Sequence, residues 1–307
     1  MVIYMKRSIV KHGPSTLTIS IPSSWAKKNN LKPGITLDVE EKGSQLLIST
    51  KKQDEFIKIE VDIKNNYKSG IRYINSLHRK GCDELYLKYD DPAYLKRIEQ
   101  CLSEDILGFE IVKQDKNSCL IQDVTGTKAE EFDVLISRIW VILISISEDV
   151  LKAIREDSKS SLENIMSLDK RINKFTNFCI RILNKRGHIN YKNIPVYYRL
   201  LRGLEELSDF YKYLLFYYCK NNMKVSKNFL DLLEETNDYL KEFNRCFYKP
   251  RDEEIEKLLA ETKTMYNKIS EHCKKSREEI LVVYLFAIND KIRSLISSII
   301  ELNLLKN

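Results

Sequence analysis

Thr16-Leu17-Thr18-Ile19-Ser20-Ile21 alternates polar and apolar residues without interruption, and this period of two decides how the first fifty or so residues are read. Successive side chains of a strand leave opposite faces, so the run predicts a half-buried β-strand. Ile35, Leu37 and Val39 repeat the period, and a further apolar segment, residues 45–49, follows a turn at Lys42-Gly43-Ser44. Between them, Pro22-Ser23-Ser24-Trp25-Ala26-Lys27-Lys28-Asn29-Asn30-Leu31 reads as a short helix with a serine N-cap, closed by Lys32-Pro33-Gly34. The expected order is strand, turn, strand, helix, turn, strand, turn, strand. A sheet of about fifty residues buries too little apolar surface to stand alone, so this head is expected to form a homodimer.

Beyond the head the pattern changes twice. Residues 53–127 alternate element types: strand over 56–63, helix over 67–80, strand over 84–89, helix over 92–104, and strands over 109–113 and 118–124 around a hairpin-length link. This predicts a small α+β unit, and it contains no Gly-rich phosphate loop. From residue 128 onward six helices are expected, near 128–158, 160–186, 190–221, 226–247, 251–275 and 276–305. In the first of them Phe132, Leu135, Ile136, Ile139, Leu143, Ile146, Val150 and Ile154 recur at spacings of three and four. Four of the six prolines fall in the first third of the chain, and only Pro195 and Pro250 come later, which leaves long helix-compatible stretches. Short links such as Lys185-Arg186-Gly187-His188 make antiparallel neighbours, hence a bundle. The expected domains are therefore 1–52, 53–127 and 128–307.

Composition narrows the function. The chain carries 51 basic and 44 acidic residues, a net charge of +7. Residues 1–50 hold seven of the basic groups against three acids, so the head alone is +4 and faces a polyanion more readily than the rest. Seven scattered cysteines without a CxxC pair argue against a disulfide framework or a zinc knuckle. No apolar targeting run opens the chain, and the most apolar stretch, residues 134–146, is short and interrupted by Arg138, so a cytoplasmic protein without membrane insertion is expected. The four histidines (12, 78, 188 and 272) have no metal-ligand spacing, and Cys273 cannot pair with its helical neighbour His272 because adjacent residues point apart. Surface polar groups account for them better than catalysis, and no enzyme is expected.

Two places carry candidate chemistry. Lys6, Arg7 and Lys11 lie on or just before a strand ending in His12-Gly13-Pro14-Ser15, where a β-ribbon presents cations to phosphates or base edges of double-stranded DNA. A solvated strand end is the other reading, and it is favoured for this segment taken alone, since basic residues on edge strands also serve to block aggregation. In the bundle, Glu205 and Asp209 are four apart on one helical face, where like charges repel unless a cation offsets them. Either a metal or a salt-bridged surface with Arg202 and Lys212 would do so, and the salt-bridged surface is favoured about two to one.

These segments also resemble known families. Arg7-Ser8-Ile9-Val10-Lys11-His12-Gly13, the run from Ser15 to Pro22, Trp25, and Leu31-Lys32-Pro33-Gly34-Ile35-Thr36-Leu37-Asp38-Val39 resemble the AbrB/SpoVT swapped-hairpin fold. The resemblance implies an interdigitated dimer that binds DNA, with Lys6, Arg7, Lys11, His12 and Ser15 as the contacting residues; arginines are few. Leu201-Arg202-Gly203-Leu204-Glu205-Glu206-Leu207-Ser208-Asp209 resembles the signature of PhoU-type bundles, which are two three-helix repeats able to hold metal on acidic faces. It implies a divalent or iron-type metal ion at Glu205 and Asp209, with Asp290 and Glu301 in the second repeat and Ser294 where a second acid would fall. The pairing is similar to archaeal phosphate-uptake regulators. It implies a DNA-binding regulator of phosphate uptake or, alternatively, an adaptor that docks a phosphate transporter or sensor kinase while the head only dimerises.

Overall fold

The computed structural model describes residues 5–42, 45–50, 56–64, 67–158, 160–188, 190–276 and 278–303. The chain forms two compact units, Met1–Phe56 and Ile57–Asn307. The expected boundary at residue 52, the centre of the turn at Gly43-Ser44, and the end of the last helix at 305 lie outside the described residues.

The first unit contains β1 (Val10–His12), β2 (Thr16–Thr18), α1 (Ser23–Lys28), β3 (Leu37–Lys42) and β4 (Gln45–Thr50), the order expected from the periodicities. They make two separate antiparallel hairpins, β1–β2 and β3–β4. Two expectations are corrected. Pro22, not a serine, stands at the N-cap of α1 without a side-chain cap. Nor are the strands half-buried within one chain: Val10 is 59% exposed, Leu17 67%, Val39 61% and Leu46 65%. The alternation of Ile19 and Ile21 also runs past the last paired residue, Thr18, because β1 offers no partner beyond Val10.

In the second unit, β5 (Lys58–Asp62), α2 (Tyr67–Arg79), β6 (Glu84–Lys88), α3 (Ala93–Asp105), β7 (Phe109–Asp115) and β8 (Ser118–Asp123) build a four-stranded sheet ordered β5-β6-β8-β7. β5 and β6 are parallel, joined through α2, and the other pairings are antiparallel. Leu85, Leu87, Cys119 and Ile121 share a core with Ile74 of α2 and with Tyr94 and Ile98 of α3. The opposite face is polar, and Lys58–Glu84 and Lys88–Glu60 pair across it at 3.1 and 2.5 Å.

Among the described residues six long helices follow: α4 (Glu131–Arg155), α5 (Ser161–Arg186), α6 (Ile194–Lys220), α7 (Lys227–Tyr248), α8 (Asp252–Lys275) and α9 (Glu279–Asn303). A single 3-10 turn, Tyr191–Asn193, leads into α6, whose first turn contains Pro195. All eight apolar positions that predict the first helix are buried in the bundle core. The helices pack as two sets of three, α4-α5-α6 and α7-α8-α9, which meet through α6 on α9 and α4 on α7. Gly203 permits the close approach of α6 and α9: a Cβ there would stand 2.6 Å from the Leu295 methyls.

Sheet and bundle keep separate cores, and α5 joins them through a polar seam. Arg181, fully buried, donates from Nε to Thr127 Oγ1 at 3.0 Å and from Nη1 to the carbonyls of His78 and Cys82 at 3.0 and 2.6 Å. From Nη2 it reaches Asp83 at 3.0 Å and Asp123 at 2.7 Å. All five guanidinium donors therefore have acceptors, and the plane lies over the Phe109 ring, 5.4 Å from its centroid. Lys185 also pairs with Asp83, so two cations meet two carboxylates. Asn177, Lys174, Asn184 and Arg186 of the same helix add bonds to carbonyls of Asp105, Ser103, Arg79 and Thr127.

Replacing Arg181 by Met leaves two carboxylates buried beside one lysine, which should cost about 3–5 kcal/mol and lower the urea midpoint accordingly. His78 adds an acid limb. Its ring, packed on Phe109, donates from Nε2 to the Leu107 carbonyl at 3.0 Å. Burial, aided by Arg181, pushes its pKa down to about 3. The unfolded chain takes up a proton at this residue below about pH 6.5 while the folded chain does not, so acidification favours unfolding. Stability should fall by up to about 1.4 kcal/mol per unit between pH 6 and 4.5, and His78→Gln should flatten that stretch of the pH profile.

Candidate nucleic-acid interface

The β1–β2 hairpin pairs Val10 with Thr18, Lys11 with Leu17 and His12 with Thr16, and turns at Gly13-Pro14-Ser15. Gly13 takes φ +75°, a left-handed conformation that side chains other than glycine's adopt at a cost. Thr18 Oγ1 donates to the Val10 carbonyl at 3.1 Å and pins the open end of the hairpin. Opposed residues share a face of a strand pair, so Lys11 and Leu17 leave one face, and His12 and Thr16 leave the other. The five expected contact residues thus divide. Lys6 and Arg7 precede the ribbon, Lys11 lies on one face, His12 on the other, and Ser15 in the turn; all five are exposed.

Lys6, Arg7, Lys11, Lys27, Lys28 and Lys32 are exposed, and none of them forms an ion pair among the described residues. Lys27 and Lys28 close α1, whose last turn packs by the Asn29 side chain onto the Trp25 carbonyl at 2.8 Å. The chain then turns through Lys32-Pro33-Gly34, with Gly34 at φ +92° and the Ile35 amide on the Lys32 carbonyl. Cations held by no carboxylate are free to exchange their counterions for phosphate.

Beside them lies an open apolar groove of about 710 Å³, lined by Met5, Ile19, Ile21, Trp25 and Ile48 with Arg7 and Lys28 at its rim. No described residue of the head is buried. A domain of this size with its described alternating apolar residues in solvent has no buried core among the described residues, and apolar surface of that kind is what a partner surface covers.

The bundle acids present the opposite picture. Glu205 is held by Arg202, and Asp209 by Lys212. Asp290 accepts from Tyr266 at 2.5 Å and from Arg293 at 2.7 Å, and Glu301 accepts from Arg199 at 2.8 Å. The structure does not gather these four carboxylates: each has its own cation, and among the described residues no three His, Cys, Asp or Glu side chains stand close enough to hold a metal ion. The donor set does not fit a preassembled metal site, and the salt-bridged geometry is the one found. His78 and His272 are corrected in another way. Both are buried rather than at the surface, and His272 donates to Glu278 at 2.6 Å, a pair that ties the end of α8 to Ser226 at the start of α7. Sequence reasoning missed Arg181, His78 and Asp169; the one signal for Arg181 is a charge inside the apolar run Phe178-Cys179-Ile180-Arg181-Ile182-Leu183.

A family model for antidote–toxin recognition of the MazE bacterial antitoxin matches residues 10–56. The head is thus similar to a regulatory domain of the AbrB/MazE kind, and the matched span holds both hairpins and α1. No curated protein and no solved structure matches the chain. No helix among the described residues is long and apolar enough to cross a membrane.

Proposed function

We propose that the chain is a dimeric DNA-binding regulator in which paired heads grip duplex DNA through Lys6, Arg7 and Lys11, with the helical bundle as the part that receives a signal. The observation that carries this reading is the set of exposed, unpaired cations on a head whose apolar alternation lacks a core within one chain. The match to an antitoxin family over residues 10–56 supports it from another direction. A role for the bundle in phosphate homeostasis rests on the sequence resemblance and on the two packed sets of three helices, which agree with an internal duplication. The second reading, an adaptor whose head only dimerises and whose bundle docks a phosphate transporter or sensor kinase, is favoured by the same apolar groove, since dimerisation alone would fill it.

Anisotropy titrations of the full chain against fluorescent duplex DNA, drawn from its own upstream region and from a scrambled control, separate the two. Affinity should fall steeply with salt, and Lys6→Ala, Arg7→Ala and Lys11→Ala should each reduce the slope of log K against log salt by about 0.9 for every phosphate left without its cation. An affinity for duplex DNA that is absent or indifferent to salt would sink the DNA reading and leave the adaptor.

A further inference from the structure

The α5–α6 interface holds a buried carboxylate that neither the head nor the sheet seam uses. Asp169, on the inner side of α5, is 3% exposed, and α6 meets it with two donors. Ser208 Oγ donates to Asp169 Oδ1 at 2.6 Å, and Lys212 Nζ donates to Asp169 Oδ2 at 2.6 Å. The same ammonium pairs with Asp209, three residues earlier on its own helix. One cation is therefore shared by two carboxylates that come from two helices, with a buried hydroxyl beside them.

Two carboxylates converging on one point, one of them also held by a hydroxyl on its other oxygen, offer the oxygen donors that a hard divalent cation takes. Here the positive charge at that point belongs to the chain. A buried aspartate without a counter-charge is strongly destabilising, so whatever cation stands there is part of the fold. Burial by itself would lower the Lys212 ammonium, but the bonds to Asp169 and Asp209 outweigh it and hold the group above its usual range. It stays charged wherever the protein is folded near neutral pH.

We propose that Lys212 is a resident cation of the α5–α6 face, standing between Asp169 and Asp209 where a divalent ion would otherwise stand, so that these two carboxylates are answered without metal. The neighbouring acids follow the same plan. Glu205 is answered by Arg202 on its own helix, and Glu206 by Lys291 of α9. The inference concerns the bundle alone and does not depend on DNA binding by the head.

The test uses the full chain, its melting temperature in excess EDTA and in about 1 mM Mn²⁺, and bound metal by equilibrium dialysis with elemental analysis. The wild-type melting temperature should be the same in both buffers, with no stoichiometric Mn²⁺ retained. Lys212→Ala, which opens room for a hydrated ion, should melt about 5 °C or more lower in EDTA, and Mn²⁺ should restore at least half of that loss. Adding Asp169→Asn to Lys212→Ala should raise the EDTA melting temperature, because no buried charge is left to answer, and should abolish the response to Mn²⁺. Should Lys212→Ala fail to fold, Lys212→Gln replaces it, and folding of the Asp169→Asn, Lys212→Ala double variant would still report the same coupling. Wild-type protein that retains one Mn²⁺, lost on Asp209→Asn, would overturn the proposal. So would a Lys212→Ala protein that melts like wild type in EDTA or gains nothing from Mn²⁺.

Discussion

A charge taken out of water must be answered inside the fold, and in this chain one arginine answers for the joint between two layers. Arg181 leaves α5 and spends its five donors on two connections of the sheet unit: the carbonyls of His78 and Cys82 and the Asp83 carboxylate where α2 ends and leads to β6, and Asp123 and Thr127 where β8 ends. The apolar cores on either side could each slide at little cost, because hydrophobic burial has no direction. The guanidinium cannot. Its fixed fork sets both the position and the rotation of the sheet against α5, and His78 packs beside it neutral, because burial first and the Arg181 charge second disfavour its protonation.

The same rule separates two kinds of surface. In the bundle the acids of α6 and α9 that the sequence singles out are held by cations within reach on the same or the facing helix. In the head the described cations are open, and so is an apolar groove next to them. A surface with unanswered positive charge recruits a polyanion, while a surface with unanswered apolar area recruits another apolar surface. The head presents both within fifty or so residues, and the proposed second copy and duplex DNA would answer them together.

How much of this was legible in the sequence follows the range of the interaction involved. The strand and helix order of both units could be read because alternation, periods of three and four, and the Pro-Gly turn at Pro33-Gly34 are local signals. The ion pairs of Glu205 and Asp209 were within reach as well, since Arg202 and Lys212 lie one turn away in the same helix. Arg181 and Asp169 were not, because their partners are brought to them by packing between elements far apart in sequence. The exposure of Val10, Leu17 and Val39 was misjudged for a related reason. Alternation says that one face of a strand is to be covered, and it is silent on whether the cover comes from the same chain.

If the exposed, unpaired cations of the head meet DNA as proposed, a polyanion should engage the head. Hydrogen exchange of the full chain with and without duplex DNA, read by mass spectrometry, tests this directly. Peptides spanning residues 5–20 should gain protection on adding DNA, while those of α6 and α9 keep their exchange rates. Protection that appears on the bundle helices with none over residues 5–20 would contradict it.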